Sequence, residues 1–192
     1  MPQDLQNLAS AIDSTLGGVV LCTSTTRPAS PADGTMIYES DTKKQRRFDT
    51  AQGWLVWPPE PVMSEDYTTL TTTSTGFAVG SPACDVTFVA PPTGRARIDV
   101  GGHMTNAGAG VSTSLTYEVR LTNAAGAVVL TAVQGNGVLN QGQNNVQAMM
   151  GKMFSFFTPG TQYYVRTMHN TGTAGQTGTL YVRRLIVTPW PN

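Results

Sequence analysis

Charge is scarce in this sequence, and the little that is present balances. Asp, Glu, Lys and Arg make up 12% of the 192 residues, and 12 acidic against 12 basic side chains leave a formal net charge of zero. An ordinary soluble domain carries about 25% charged residues. Without net positive charge there is no bulk attraction to nucleic acid, so we expect no nucleic-acid partner. Hydrophobic residues still reach 40%, which argues against a disordered chain.

Long apolar runs and cysteine frameworks are missing as well. No stretch approaches the roughly 20 apolar residues of a membrane span, so no membrane insertion is expected. The N-terminal residues have no basic cluster and include Asp4 and Asp13, which is unlike a secretory signal. Cys22 and Cys84 belong to no CxxC pattern, which favours two free, mostly buried thiols made in a reducing cytoplasm.

Acidic side chains are unevenly distributed, and none follows Glu118. Residues 1–75 hold nine acidic and five basic side chains (−4), whereas residues 76–192 hold three acidic and seven basic ones (+4). This asymmetry indicates two segments with different surroundings. General acid–base catalysis usually relies on a carboxylate or a histidine, so the shortage of acids argues against an enzyme.

The patterns expected of a serine hydrolase or of a zinc site are also incomplete. The segment from Gly110 to Ser114 lacks the second glycine of the G-x-S-x-G turn of serine hydrolases. No Cys or Asp cluster completes a zinc site around His103 or His169, which favours surface or interface histidines. We therefore expect no enzymatic activity, no metal and no cofactor.

The N-terminal segment, residues 1–18, reads as the one helix of the chain. Its apolar residues recur at helical spacing, and two glycines end the pattern where a left-handed cap would sit. A helix of about three turns is unstable alone, so its stripe needs a partner, either the rest of the chain or copies of itself. The candidate interface residues of this stripe are Leu5, Leu8, Ile12 and Leu16.

The rest of the chain reads as β-structure in two parts. Residues 19–57 predict a small β meander, and residues 58–75 begin with Pro58-Pro59-Glu60-Pro61, typical of a stiff linker. Residues 76–192 alternate apolar and polar side chains between glycine-rich turns, which favours a jelly-roll-like β-sandwich. The fold class is all-β with a short N-terminal helix. The strands expected in the sandwich are Asp85–Val89, Ala96–Met104, Leu115–Leu121, Val128–Val133, Val146–Phe154, Tyr163–His169 and Leu180–Thr188.

Two features of these strands have alternative interpretations. The basic run Lys43–Arg47 is flanked by acidic residues, so a solvated strand or a salt-bridged contact is favoured over binding of nucleic acid or phosphate. The segment Met149–Phe157 is rich in Met and Phe. At period two, half of these side chains face a core, and the remainder are candidates for a subunit interface.

Part of the meander resembles a recurring element of structural proteins of tailed bacteriophages. The motif consists of a Thr-Arg-Pro-x-x-Pro-x-x-Gly loop at 26–34, the strand Ile-Tyr-Glu-x-Asp-Thr at 37–42 and an Asp-x-x-x-Gly-Trp turn at 49–54. The segments 158–166 and 179–187 are similar to the last two strands of β-sandwich heads on such proteins. The resemblance implies a non-enzymatic virion structural protein: a homotrimeric surface spike, short fibre or capsid decoration protein.

The resemblance also implies partners and a polarity. The N-terminal part would attach to other virion proteins such as capsid or tail components, and the head would project outward. From its charge we expect the head, if it binds a host surface, to prefer an anionic polymer. The alternative is a carbohydrate-binding or adhesive β-sandwich that is not part of a virion. The candidate attachment residues are Arg27, Tyr38, Glu39, Arg46, Arg47 and Trp54, and the candidate surface-binding residues are Tyr163, Tyr164, Arg166, Tyr181, Arg183 and Arg184.

Overall fold

A computed structural model describes residues 18–142 and 145–190, and this part of the chain is nearly all β. The all-β expectation is confirmed, whereas the expected helix over residues 1–18 lies outside the described residues except for Gly18. Within the described part, no helix is long and apolar enough to cross a membrane. The chain divides into two compact units between Glu60 and Pro61.

Fifteen strands and one 3-10 turn make up the described structure. In chain order they are β1 (Val20–Cys22), β2 (Met36–Glu39), β3 (Lys44–Asp49), β4 (Gly53–Val56), β5 (Val62–Asp66), β6 (Leu70–Thr72), β7 (Ala78–Val79), β8 (Asp85–Val89), β9 (Arg95–Asn106), β10 (Ser112–Leu121), β11 (Val128–Leu130), the turn Gln134–Asn136, β12 (Val138–Gln141), β13 (Val146–Phe154), β14 (Gln162–Thr171) and β15 (Gly178–Trp190).

The N-terminal unit contains a single four-stranded sheet, the meander sheet, in the order β1-β2-β3-β4. Strands β2, β3 and β4 are antiparallel neighbours, and β1 lies parallel to β2. Because side chains alternate along a strand, Ile37 and Glu39 share one face and Tyr38 lies on the other. Ile37 and Glu39 are both fully buried, whereas Tyr38 is exposed.

The C-terminal unit is built from two sheets with the strand order of a jelly roll. The first sandwich sheet runs β13-β9-β15-β5, and β6 also pairs with β15. In the second sandwich sheet, β10 and β14 are central; β11 and β12 pair with β10, and β7 and β8 pair with β14. The earliest strands of the unit therefore pair with the latest ones in both sheets, so the sandwich closes only when distant segments meet.

The core lies between the two sandwich sheets. Alternate residues of each long strand point inward, among them Ile98 and Val100 of β9, Leu115 of β10, Val165 of β14 and Leu185 of β15. Each of these side chains is fully buried. Burying one such side chain stabilises the fold by about 1.5–3 kcal/mol relative to leaving it exposed, so this layer supplies the main driving force for folding.

Strand β15 changes face in its first half. Its pairing register with β9 shifts between Leu180 and Val182, and Tyr181 is the extra residue of this bulge. Leu180 points into the core before the bulge, and Leu185 and Val187 do so after it. The bulge therefore turns Arg183 inward and Arg184 outward, which simple alternation from Leu180 does not predict.

The expected linker over residues 58–75 differs from the structure. Val62–Asp66 pairs with β15 from Arg183 to Val187, and Leu70–Thr72 pairs with β15 from Gly178 to Leu180. The prolines end at Pro61, so residues from Val62 onward keep the backbone N–H groups that a sheet needs. The segment is thus an integral edge of the first sandwich sheet.

Candidate functional site

Glu39 joins the parts of the sequence motif in the N-terminal unit. Its side chain is fully buried, and its Oε1 lies 2.5 Å from Nε of Arg27 and 2.8 Å from Nε of Arg46. The Thr42 hydroxyl donates a hydrogen bond to its other carboxylate oxygen, at 2.6 Å. The loop at 26–34, the strand β2 and the turn after it are therefore tied together by one carboxylate.

The surroundings of Glu39 keep it ionised. Burial by itself opposes the charged form, but hydrogen bonds and charge from Arg46, Thr42 and Arg27 outweigh it and lower the pKa of Glu39 from 4.5 to about 2. A buried carboxylate with two guanidinium partners is a structural centre, and its oxygens are occupied from within the unit.

The other motif residues also make contacts within the unit. Asp41 accepts hydrogen bonds from the Ser24 amide and hydroxyl, the latter at 2.6 Å. Phe48 and Trp54 pack edge to face with their ring centres 5.2 Å apart, and the Arg47 guanidinium lies 5.1 Å from the centre of the Trp57 ring. The motif thus encodes a self-contained small sheet.

The candidate attachment residues are not equally available to a partner. Glu39 is enclosed, and Arg27 and Arg46 are bound to it. Tyr38 lies on the opposite face of the meander sheet and is exposed, and its neighbour across the β1–β2 pair, Leu21, is 72% exposed. Whether any of these residues attaches the protein stays a prediction; of the set, Tyr38 and the partly exposed Arg47 lie on this face.

Two of the four basic side chains of the run Lys43–Arg47 pair with acidic residues of the N-terminal unit. Lys44 forms an ion pair with Glu60 at 3.0 Å, Arg46 pairs with Glu39, and Arg47 stacks on Trp57. These contacts account for three of its four cationic side chains, and they favour the interpretation as a salt-bridged strand over that as a nucleic-acid site.

Three of the candidate surface-binding residues are not at the surface. Tyr163 packs in an aromatic cluster with Phe88 and Phe157, and its hydroxyl accepts a hydrogen bond from the Thr158 amide. Tyr164 is buried and donates to Asp85 at 2.8 Å, which with burial raises its pKa to about 12. Both tyrosines are structural because contacts within the sandwich occupy their rings or hydroxyl groups.

Arg183 is the third candidate surface-binding residue that is not at the surface, and its side chain is fully buried. Its Nη2 donates to Asp66 of β5 at 2.8 Å, and its Nη1 donates to the Pro82 carbonyl at 2.9 Å. The buried His169 lies in the same region, and burial together with the Arg183 charge lowers its pKa to about 4. Arg183 therefore anchors β5 and the loop before β8 to the core.

Arg166 belongs to an ionic cluster on the second sandwich sheet. Glu118 accepts from Arg120 at 2.6 Å and from Arg166 at 2.8 Å, and all three side chains are mostly covered. This arrangement satisfies both guanidinium groups with a single carboxylate. It leaves Arg166 poorly suited to capture an anion.

Tyr181 is exposed and Arg184 is half-buried; Arg184 lines an open groove on the outer face of the first sandwich sheet, and Tyr181 lies beside it. The groove has a volume of about 410 Å³ and crosses the central strands of that sheet. Its floor is the β9 backbone at Gly101 and Gly102, and the His103 ring lies 4.9 Å from that of Tyr181 at one end. The lining residues are Tyr67, Gly101, Gly102, His103, Gln147, Ala148, Met149, Val182 and Arg184.

One wall of the groove is held by a chain of polar contacts. The Tyr67 hydroxyl donates to Glu65 at 2.7 Å, and Glu65 also forms an ion pair with Arg184. The Tyr67 hydrogen bond and the Arg184 charge lower the pKa of Glu65, more than offsetting the opposite effect of burial. The hydrogen bond of its hydroxyl holds the Tyr67 ring in place. Because the side chain is 66% exposed, the faces of the ring stay open.

Sequence reasoning missed most of this groove. Tyr67 fell in the expected linker, and Gln147 was an ordinary strand residue. Gly101-Gly102 inside an apolar strand was a usable signal, since glycine within a strand often marks a close approach of another backbone. A Cβ on Gly101 would lie 2.6 Å from the Ala148 carbonyl oxygen, so glycine is required there.

Metal coordination has no support in the described part of the chain. Among residues 18–142 and 145–190, no group of three or more His, Cys, Asp or Glu side chains is placed to hold a metal ion. Cys22 and Cys84 are both free thiols; Cys84 is buried, and burial raises its pKa.

No known protein family matches the sequence, and no curated protein matches it. Solved structures with a similar fold include that of infectious bursal disease virus Gx strain, at 13% identity and TM-score 0.38 over 74% of this chain and 37% of that one. The enzymatically active domain of bacteriophage CBA120 tailspike protein 4 is similar at 13% identity and TM-score 0.31, over 65% and 19% of the two chains. The xylan-binding module CBM15 is similar at 11% identity and TM-score 0.36, over 89% and 90%.

The chain spans less than half the length of the viral proteins it matches. Its neighbours thus include viral capsid proteins, a phage tailspike and carbohydrate-binding modules. At these identities the likeness concerns the fold alone.

Proposed function

We propose that this protein is a non-enzymatic structural protein of a tailed-bacteriophage virion. It is a homotrimeric surface spike, short fibre or capsid decoration protein. Its N-terminal part attaches to other virion proteins, and its β-sandwich projects outward as a head that binds the host surface.

The observation that carries this proposal is the closed network around Glu39. Arg27 of the loop at 26–34 and Thr42 at the end of the second motif segment both bind Glu39, and the turn at 49–54 joins β3 to β4 of the same sheet. A motif that encodes a complete small module is what a reusable attachment element requires. The sandwich that follows is a separate compact unit with its own core, so it can serve as a head.

The two-unit organisation gives a direct test of the proposal. Mass spectrometry of purified phage particles should detect the full-length chain as a virion component. A variant lacking residues 1–57 keeps β5, so it should still fold, but it should no longer bind particles that lack the protein. Full-length protein with the same tag is the control, and normal incorporation of the truncated chain would show that the sandwich, not the N-terminal part, attaches.

A second candidate function is an adhesive or carbohydrate-binding β-sandwich that is not part of a virion. The observation that favours it is the set of exposed aromatic side chains on the outer face of the first sandwich sheet, including Tyr67, Tyr181 and Trp190. Absence of the chain from purified particles, combined with glycan binding by the isolated protein, would select this candidate.

A further inference from the structure

The groove on the first sandwich sheet has the chemistry of a ligand site that nothing in the motif assigns. We propose that it binds a neutral saccharide unit of a surface polysaccharide, with Tyr67 and Tyr181 as the stacking residues. The inference deepens the proposed function, because it rests on the sandwich acting as a host-binding head.

The shape of the groove follows from the glycine floor. Gly101 contributes no side chain to the outer face, so a depression opens between the side chains of β13 and β15. Tyr67 and His103 line the groove, the Tyr181 ring packs against His103 beside it, and Gln147 and Arg184 add hydrogen-bond donors. A pyranose ring has an apolar C–H face and a polar rim, which suits aromatic walls with a few donors.

Charge pairing points to a neutral ligand. Arg184 is the one charged side chain that lines the groove, and Glu65 already neutralises it. Elsewhere in the sandwich, Arg97, Arg120, Arg166 and Arg183 also bind carboxylates. The +4 balance of residues 76–192 therefore does not produce a free cationic surface here, and an anionic polymer has no strong partner in this groove.

Backbone pairing disfavours an extended peptide as the occupant. The floor strand β9 is paired on both sides, with β13 and with β15, so its N–H and C=O groups are engaged. A peptide could not add to the sheet at this place, because strand addition needs a free edge. A sugar needs no such edge and would bind through ring faces and side-chain donors.

The test uses the full-length chain and named polysaccharides. Dextran, mannan, galactan and xylan serve as neutral probes and hyaluronate as the anionic one, with binding measured by affinity electrophoresis and by saturation-transfer NMR on the corresponding oligosaccharides. We expect at least one neutral probe to bind, with little change between 50 and 500 mM salt. Tyr67→Ala and Tyr181→Ala should each weaken binding at least about tenfold, a loss that corresponds to about 1.4 kcal/mol.

Matched controls separate the site from the fold. Tyr67→Phe keeps the ring and should retain most of the binding, and Phe156→Ala removes an exposed aromatic ring outside the groove lining and should leave binding unchanged. Thermal unfolding of each variant checks that it is folded.

Three results would overturn the inference: binding of none of the neutral probes, salt-sensitive preference for hyaluronate, or unchanged binding in both alanine variants. A change in oligomeric state of those variants, seen by light scattering without any sugar binding, would assign the groove to a second copy of the chain instead. Particle incorporation of the same variants should be normal. Absence of the wild-type chain from particles, together with sugar binding that the alanine variants lose, would count against the proposed function and not against the groove.

Discussion

Glu39 is a buried ionic centre of the N-terminal unit. Replacing it with Gln removes the anion that holds Arg27 and Arg46, and we expect a loss of about 2–4 kcal/mol in the unfolding free energy of this unit. Glu60→Gln, which removes the exposed partner of Lys44, should cost less than about 1 kcal/mol. Denaturant unfolding followed by Trp54 and Trp57 fluorescence, in a Trp190→Phe background, measures this unit; equal effects of the two substitutions would contradict the central role of Glu39.

Glu39 also makes the stability of the N-terminal unit depend on pH in the acid range. Its pKa is lower in the folded state than its ordinary 4.5, so its stabilisation is complete above pH 4.5 and is lost as the pH falls toward 2. The Gln variant should lack this part of the acid response, which a series of denaturant titrations between pH 5 and pH 2 would reveal.

His169 makes the sandwich sensitive to milder acid. Its pKa falls from 6.5 to about 4 on folding because it is buried near Arg183, so its contribution to stability is complete above pH 6.5 and declines as the pH falls to 4. Between pH 7 and pH 5 we expect a loss of about 2 kcal/mol. Glu65 and Asp66 have lowered pKa values and titrate below this window. Urea unfolding at both pH values measures this loss. In the variant His169→Gln, the unfolding free energy should differ less between pH 7 and pH 5. The same difference as in the wild-type chain would disprove the assignment.

At the scale of elements, β5 is held to the sandwich by the buried Arg183–Asp66 pair. Asp66→Asn leaves a buried guanidinium without its anion, and we expect a loss of about 3–5 kcal/mol by calorimetry. Glu65→Gln is the control, because Glu65 and its partner Arg184 are both partly exposed and the expected loss is below about 1 kcal/mol. A double change to Arg183→Met and Asp66→Leu should cost less than Asp66→Asn alone; a larger cost would show that the charges themselves are required.

The apolar side chains of the segment Met149–Phe157 divide between the core and the protein surface. Met150 and Phe154 pack against the core, as period-two alternation predicts, whereas Phe157, which follows the end of β13, is buried out of that phase. Met149, Met153 and Phe156 remain exposed. They stay candidates for a subunit interface, a role that their exposure permits.

At the scale of the whole molecule, we expect a homotrimer assembled through the N-terminal stripe. Light scattering of the purified chain should give three times the chain mass at micromolar concentration. Leu8→Asp places a charge in the stripe and should reduce assembly while the sandwich stays folded. Ser14→Asp adds the same charge on the opposite side of the expected helix and is the control. A monomeric wild-type chain, or equal dissociation by both variants, would contradict the trimer.

The sequence by itself determined the fold class of the protein and the position of most strands. Alternation is local, so Asp85–Val89 and Val146–Phe154 begin and end where the pattern predicted, and the jelly-roll-like sandwich followed from many short strands. The sequence of residues 19–57 likewise predicted a small β module, and the structure has a four-stranded sheet there.

Only the tertiary structure decided which side chains form a site. The bulge at Tyr181 reverses the faces of β15, so Arg183 is buried while Arg184 reaches the groove. Tyr67 and Arg184 come together around Glu65 only because β5 pairs with a strand more than a hundred residues later. Sheet pairing over such distances depends on how whole strands satisfy each other's backbone and apolar faces, and local periodicity carries no information about that choice.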